Sequence, residues 1–262
     1  MCGLTLLGSE LYGQNAVILG DAYLYGGHAE SSVWIQGDVS GSNYEVYKGV
    51  NDMAFYLGGD NKMSNFFRVN NGYADIRGKE GKYQGQTGDI PTPNWASYIH
   101  TAEYLATFAG QSLDTSAHNN IRTEISDGLN IFSLNSSQLS GYKTLDFQGG
   151  EGVVVMNVTG DLDSWGWSVN YDPSKIIWNF IDAENVNINN RSITGSVLAP
   201  NATVTQKQNI DGFLLAGKWK VYNSVELHDF GMPRIEVTPI PEASVSLFTA
   251  LAALLGLTRR RR

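Results

Sequence analysis

The sequence is poor in cysteine and proline, and both shortages limit what the protein can be. Cys2 is the single cysteine, so neither an internal disulfide nor a cysteine metal cluster can form. Seven prolines stand against 29 glycines, a ratio that indicates many tight turns rather than proline-rich linkers. Hydrophobic residues make up 42% and aromatic residues 11% of the chain, which is enough for a sizeable folded core.

Basic residues are also scarce outside the last four positions. The formal charge is −8, but without residues 259–262 the 18 basic residues fall to 14 against 26 acidic ones, a balance of −12. No basic stripe crosses this acidic body. Because phosphate contacts need clustered lysine and arginine, the sequence argues against nucleic-acid binding.

The first residues do not form a secretory signal peptide as written. A basic region is missing, and the apolar residues 4–7 are too few for a signal segment. We expect the signal to lie upstream of Met1, beyond a start assigned too late. The alternative is that the C-terminal tail does not direct export.

Residues 239–262 are predicted to form a sorting and membrane-holding tail. The apolar stretch at 245–257 is shorter than the roughly 20 residues that span a bilayer straight. The basic cluster after it would stay in the cytoplasm and leave the body outside. A terminal helix packed on the domain is the alternative, but no polar face remains for it. The predicted membrane residues are Val245, Leu247, Phe248, Leu251, Leu254, Leu255 and Leu257, and the predicted cytoplasmic stop is Arg259, Arg260, Arg261 and Arg262.

The order of Pro241-Glu242-Ala243, apolar segment and arginine cluster resembles the PEP-CTERM sorting signal of Gram-negative bacteria. Ala243 departs from the proline usual at the third position. The resemblance implies recognition by an exosortase-type enzyme, cleavage near Pro241, and a transient hold in the inner membrane. The protein would then reside at the cell surface or in the extracellular matrix.

Short β-like segments separated by Gly, Asn and Asp occupy residues 16–88. Three of them end in Gly-Asp at Gly20, Gly37 and Gly59, which are 17 and 22 residues apart. A period near 20 is typical of a β-solenoid coil. The aspartates that follow, Asp21, Asp38 and Asp60, could gather Ca²⁺ on one edge. Capping of turns by Asx side chains is the commoner reason for Gly-Asp, and we favour it.

Residues 94–118 carry apolar positions at helical spacing, from Trp95 through Ala102 and Leu105 to Leu113. Asn94 is a plausible N-cap. This pattern predicts the one substantial helix, with its apolar stripe packed on the core.

Further β-like segments follow, including residues 153–158 and 176–180. Together with the earlier segments they resemble the choice-of-anchor A domain over residues 8–232. The segments that carry the resemblance are 15–21, 37–44, 154–160, 177–180, 195–202 and 212–216, followed by His228 and Phe230. Residues 195–202 (Gly-Ser-Val-Leu-Ala-Pro-Asn-Ala) are the most specific of them. The resemblance implies a domain at 1–238 that bears a surface-anchoring tail at 239–262.

The second half is also similar to bacterial ice-binding β-solenoids, through Trp178 and the two rungs at 195–199 and 212–216. This likeness implies a mainly β fold, namely a right-handed, discontinuous β-solenoid with one long helix alongside. The tail adds a C-terminal hydrophobic helix to that expectation. Fold likeness of this kind says little about activity.

Candidate sites are few. Trp165 and Trp167 alternate with Gly166, so they share one face of a strand and form our candidate ligand surface, whereas Trp178 is assigned to the core. His228-Asp229 could be half of a metal or acid–base site, but the other histidines show no ligand spacing with it. Asp161 and Asp163 could act as a carboxylate pair, and a solvated turn is the favoured interpretation.

The sequence therefore predicts an exported, non-enzymatic surface or matrix protein with a structural or adhesive role. No catalytic residue, metal site or cofactor is expected, and exopolysaccharide is the expected partner beyond the membrane and the exosortase. Ice binding or carbohydrate binding is one alternative, although Thr203 and Thr205 give only one short Thr-x-Thr. A polysaccharide-cleaving enzyme on a β-solenoid is another.

Overall fold

A computed structural model describes residues 5–7, 11–47, 53–116 and 119–237. The predicted tail lies outside the described residues, and with it the sorting motif Pro241-Glu242-Ala243, the apolar segment 245–257, the arginines 259–262 and the predicted C-terminal hydrophobic helix. The domain boundary predicted at 238/239 lies outside them too. Within the described ranges, no helix is both long and apolar enough to cross a bilayer.

The chain divides into two compact units. In the smaller unit the described residues are 5–7 and 235–237. In it, β1 (Thr5–Leu7) pairs antiparallel with β25 (Ile235–Val237), with Thr5 opposite Val237. The larger unit is Gly8–Arg234.

The larger unit is built from short strands on both sides of one helix, α1 (Trp95–Ala106). Before the helix come β2 (Gln14–Ile18), β3 (Ala22–Tyr25), β4 (His28–Ala29), β5 (Ser32–Ile35), β6 (Val39–Ser42), β7 (Tyr44–Val46), β8 (Met53–Leu57), β9 (Asn61–Met63), β10 (Phe67–Ile76) and β11 (Tyr83–Thr87). After it come β12 (Gln111–Ser112), β13 (Asn120–Ile125), β14 (Leu129–Asn135), β15 (Lys143–Gly149), β16 (Val153–Thr159), β17 (Trp167–Asn170), β18 (Ile176–Asn179), β19 (Asn185–Ile188), β20 (Ile193–Thr194), β21 (Ser196–Gln206), β22 (Ile210–Asp211), β23 (Leu214–Val221) and β24 (Glu226–His228). Within the described ranges, 3₁₀ helices are found at Ser136–Leu139 and Pro173–Lys175.

The strands of the larger unit stack in parallel as three columns, which we call faces A, B and C. Face A contains β12, β14, β16, β18, β21, β23, β2, β5, β8, β10 and β11. Face B contains β19, β21, β23, β3, β6 and β9. Face C contains β20, β22, β24, β4, β7, β10 and β11, while β13, β15 and β17 form a separate parallel sheet. This arrangement is β-solenoid-like, and it confirms the predicted mainly β fold with one helix.

The order of strands along the stack departs from their order along the chain. Ala16 of β2 pairs with Leu214 of β23 on one side and with Val33 of β5 on the other. Leu227 of β24 likewise pairs with Ala29 of β4. The last coils of the chain therefore lie directly beside the first ones. We call this junction of β23 and β24 with β2, β3 and β4 the seam.

The central strands of face A are buried on both sides, whereas β11 and β12 at its ends are exposed. Ile18, Ile35 and Leu57 follow one another in register and are fully buried in the core. Their neighbours Val17, Trp34, Tyr56, Leu198 and Leu215 are also buried, although they lie outside that core cluster. Because successive side chains point to opposite sides of a strand, this second set faces the helix. Burial on both sides explains why residues 153–158 are almost continuously apolar.

Helix α1 covers this outer side of face A, but it is shorter than predicted. It begins after Asn94 as expected, although the Asn94 side chain makes no capping hydrogen bond, and it ends at Ala106 rather than near 118. A Cβ on Gly110 would lie 2.6 Å from the backbone carbon of Phe132, so the chain there is already packed against β14. Leu113, predicted on the helix, is buried in the core instead.

Two asparagines of face A attach the helix to the stack. The Asn157 side chain donates to the Leu105 carbonyl at 2.9 Å, and the Asn179 side chain donates to the Ala102 carbonyl at 3.0 Å. The Asn179 amide also lies 2.9 Å from Asn157 Oδ1. These hydrogen bonds fix the position of the helix along the stack, because both asparagine side chains bond carbonyl groups in the last turns of α1.

The Gly-Asp endings form a ladder at the corner between faces A and B. The Asp21 carboxylate accepts from the Asp38 amide at 2.9 Å, and that of Asp38 accepts from the Asp60 amide at 2.7 Å. Asp60 in turn accepts from the Lys79 amide at 2.8 Å. The prediction that these aspartates cap turns is confirmed.

Candidate functional site

Trp165 and Trp167 do not form a ligand surface, because both are fully buried. The indole nitrogen of Trp165 donates to the Ser192 carbonyl at 3.2 Å, and that of Trp167 donates to the Gln138 carbonyl at 3.1 Å. The alternation with Gly166 correctly places them on one side of the chain, but that side is the core. Trp178 is also fully buried, as predicted, with its ring centroid 4.7 Å from that of Trp165.

Asp161 and Asp163 lie in an exposed turn. Asp161 accepts hydrogen bonds from the Glu184 amide at 2.7 Å and from the Asn185 amide at 3.0 Å. The Asn185 side chain, followed by these two amides, lowers the pKa of Asp161. A carboxylate held ionised as a cap is poorly suited to act as a general acid, which supports the solvated-turn interpretation.

His228 belongs to a cluster that crosses the seam on face C. Its Nδ1 lies 2.6 Å from Asp211 Oδ1, and its Nε2 lies 2.8 Å from Glu226 Oε2. His28 Nδ1, on the next strand, lies 3.8 Å from Glu226 Oε1. Nothing in the sequence indicates that His28 lies beside the strand of His228, since the two strands are neighbours only through the seam.

The charges of this cluster set its protonation. Burial lowers the pKa of His228, but the hydrogen bonds to Glu226 and Asp211 outweigh burial and raise it overall. The hydrogen bond from His228 lowers the pKa of Glu226. Across the described ranges, no group of three or more His, Cys, Asp or Glu side chains is placed to hold a metal ion. The geometry is that of a histidine whose ion pairs link neighbouring coils.

Face B is an open sheet face whose outward residues are aligned by the parallel register. Its inward residues, such as Val186, Val204 and Trp219, are fully buried. The outward ones form three rows across the strands. The rows are Asn185–Thr203–Lys218, then Asn187–Thr205–Lys220–Tyr23–Ser40–Lys62, then Tyr25–Ser42. Neighbouring side chains within a row are therefore roughly 4.8 Å apart.

Lysines give face B a local charge opposite to that of the body. Lys218 and Lys220 are exposed and have no hydrogen bond or ion pair with any described residue. Lys62 is paired with Asp38 at 2.5 Å. Lys207, just beyond β21, lies over the Tyr222 ring at 6.0 Å from its centroid. An extended ligand lying on this face would meet amide, hydroxyl, ammonium and phenol groups at regular spacing.

A solved structure and a family model resemble this chain. No curated protein matches the sequence. A solved structure, the ice-binding protein from the Antarctic ascomycete Antarctomyces psychrotrophicus, shares 14% identity at a TM-score of 0.39, over 86% of this chain and 98% of that one. A family model described as "Putative Ice-binding-like adhesive domain" matches residues 10–229. Since that match spans nearly the whole larger unit and most of the 262 residues, the chain belongs to the ice-binding-like adhesive domain family.

Proposed function

We propose that this protein is a non-enzymatic, exported adhesive domain that holds an extended acidic polysaccharide on face B. The observation that carries the proposal is the pair Lys218 and Lys220, which have no partner among the described residues and lie within the polar and aromatic rows of that face. The adhesive description of the family supports the same role. Elsewhere the acidic body would repel a polyanion, so binding would be confined to this surface.

Binding on face B depends on repetition rather than on single contacts. An exposed ion pair contributes only about 0–1 kcal/mol, and salt screens it. A polymer with a charge on many units can engage several coils at once, which raises the overall affinity without any new type of contact. Tyr23, in the row between Lys220 and Ser40, would add stacking against the sugar rings.

The test is charge reversal on face B. We expect Lys218→Glu with Lys220→Glu to weaken binding to a uronate polymer, measured by affinity gel electrophoresis, by about tenfold or more. The matched control is Arg122→Glu with Lys175→Glu, which changes the net charge equally but lies outside face B. If both double variants bind the uronate polymer as the parent does, or lose binding equally, face B is not the polysaccharide surface.

Export and sorting through residues 239–262 are part of the same proposal, supported by the sequence of the tail. In it Pro241-Glu242-Ala243 is recognised by an exosortase-type enzyme, the apolar segment holds the chain transiently in the inner membrane, and the body belongs to the choice-of-anchor A group. The right-handed sense of the coil also stays a prediction. Surface display should be lost on deletion of 239–262, and equal cytosolic retention of both forms would overturn this part.

Ice binding is a second candidate, favoured by the patch of Thr203, Thr205, Asn185 and Asn187, which are adjacent in register on face B. An ice face needs a flat, regular array, and the projecting lysines and tyrosines of the next strands interrupt it. A thermal-hysteresis assay decides between the candidates: activity that survives Lys218→Glu and is lost in Thr203→Tyr with Thr205→Tyr would favour ice.

A further inference from the structure

A groove runs along the corner between faces B and C, where the chain turns sharply in each coil. Gly26 (φ 74°), Gly27 (φ 93°), Asn43 (φ 56°) and Ser224 (φ 53°) all adopt left-handed conformations there. A Cβ on Gly27 would lie 2.0 Å from the Val225 carbonyl oxygen, so only glycine allows the coils to approach this closely. The resulting cavity has a volume of about 380 Å³, within the range of roughly 300–1,000 Å³ typical of small-ligand sites.

Aromatic rings line this groove and are unusually accessible. Tyr25 is 56% exposed and Tyr47 is 39% exposed. The His28 ring lies 4.3 Å from that of Tyr47, and Phe66 lies farther along the groove, with the Arg68 guanidinium 4.7 Å above its ring. Exposed rings beside a cavity offer flat apolar surfaces on which a sugar ring can stack.

The polar groups of the groove are held in fixed positions by neighbours outside it. Glu45 Oε1 lies 3.4 Å from Arg68 Nη1, and Glu45 Oε2 accepts a hydrogen bond from the Asn70 side-chain nitrogen Nδ2 at 2.8 Å. Asn43 Oδ1 accepts a hydrogen bond from the Asn65 side-chain nitrogen Nδ2 at 2.6 Å. Each carboxylate oxygen keeps further acceptor capacity. Glu45 is thus a preorganised acceptor for hydroxyl groups.

The charge of the residues that line the groove favours a neutral ligand over an anionic one. Among the described residues that line the groove, none is lysine or arginine, and Glu45 is the one carboxylate. A uronate would meet this carboxylate, and the neighbouring Arg68 guanidinium is already engaged by Glu45 and Gln84. A neutral sugar offers hydroxyls to Glu45 and Asn43 and an apolar ring face to Tyr25 and Tyr47. We propose that the groove binds a neutral hexopyranose unit of a glycan.

This site adjoins face B, with which it shares Tyr25 and Ser42, but it does not include the lysines of that face. The groove lies at the corner between faces B and C, and its carboxylate favours a neutral ligand over an anionic one. The groove proposal therefore does not depend on Lys218 and Lys220. Tyr25 is the residue nearest to both surfaces, because it lies on β3 in the third row of face B and also lines the groove. An adhesive domain with both sites would join neutral and acidic polymers of one matrix.

The experiment is isothermal titration of the full chain with neutral hexose oligosaccharides (gluco-, manno- and galacto-series) and with oligogalacturonate. We expect binding to at least one neutral series and preference for it over the uronate. Tyr25→Ala and Tyr47→Ala should each weaken it about tenfold, and Glu45→Gln should weaken it severalfold. Tyr142→Ala is the matched control, since Tyr142 is 65% exposed and lies outside the groove.

The proposal is overturned if no neutral series binds, or if the groove variants bind like the parent while remaining folded by circular dichroism. Preference for the uronate that is lost in Tyr47→Ala would overturn it as well. The Lys218→Glu, Lys220→Glu variant should keep its neutral-sugar binding. Failure of the groove proposal therefore leaves the face B proposal untouched, and failure of face B leaves the groove.

Discussion

The side chain of Asn15 donates to the carbonyl oxygen of His228, 213 residues later in the chain, at 3.1 Å. The same nitrogen lies 3.1 Å from the Gly212 carbonyl oxygen, and Asn15 Oδ1 accepts from the Ser31 amide at 3.3 Å. One fully buried amide thus bonds both to the last coils of the chain and to the next coil of the first group. It closes the seam at a point where no covalent connection does.

We therefore expect Asn15→Leu to destabilise the fold strongly. The change removes three hydrogen bonds and leaves buried backbone groups without partners, each costing about 1–3 kcal/mol. The free energy of unfolding from denaturant titration should fall by about 3 kcal/mol or more. Asn201→Ala is the control, because its amide bonds the Ile181 carbonyl in an exposed setting. Equal, small losses in both variants would show that Asn15 does not hold the seam.

The His228 cluster should make stability depend on pH. The pKa of His228 in the folded protein is raised above its usual 6.5. The contribution of His228 to the free energy of unfolding is therefore fully present below the pKa of the unfolded chain and is lost as pH rises through the pKa of the folded protein. The pKa of Glu226 is lowered, so its contribution is present above its unfolded pKa and lost as pH falls through the folded value. The free energy of unfolding should decrease from pH 6 to pH 8.

His228→Gln should flatten this decrease, while the exposed helix residue His100, changed to Gln, should leave it in place. The measurement is denaturant unfolding of the three proteins across that pH range. A parent protein whose stability rises from pH 6 to pH 8, or a His228→Gln curve parallel to that of the parent, would contradict the ion-paired state.

Burial of Trp165 predicts a stability effect with no direct effect on binding. Trp165→Ala should lower the free energy of unfolding by about 3–5 kcal/mol, because it empties a core site and removes the bond to Ser192. Tyr142→Ala, which removes an exposed ring, should change it by less than about 0.5 kcal/mol. If the Trp165→Ala protein kept its stability but lost glycan binding, Trp165 would be part of a ligand surface and its assignment to the core would be wrong.

Close approach of neighbouring coils predicts that glycines at the A–B corner resist substitution. A Cβ on Gly37 would lie 2.7 Å from the Gly20 carbonyl carbon, whereas Gly141 has nothing within 4 Å. Gly37→Ala should cost about 1–3 kcal/mol through overpacking. Thermal unfolding should show a clear drop in Tm for Gly37→Ala and little change for Gly141→Ala. A similar Tm for the two variants would mean that the coils separate easily there.

Local features of the fold were predictable where the cause lies within a few residues. The Gly-Asp endings mark turns, and the helix begins directly after Asn94 as predicted. The amides that the aspartates bond, by contrast, lie in the next coil, 17 and 22 residues away for Asp21 and Asp38. The predicted end of the helix, near 118, was wrong because apolar spacing continues past Gly110, whereas the helix itself ends at Ala106. Leu113 satisfies that spacing, yet it packs in a coil.

The sequence by itself determined the acidic body, the short β segments with a period near 20 and the helix that begins after Asn94. Tertiary structure decided which side of each strand faces inward, because alternation assigns Trp165 and Trp167 to one side without saying which side is enclosed. It also decided the neighbours of His28, Asn15 and the groove. Those contacts join residues about 200 positions apart, and only closure of the stacked coils at the seam brings them together.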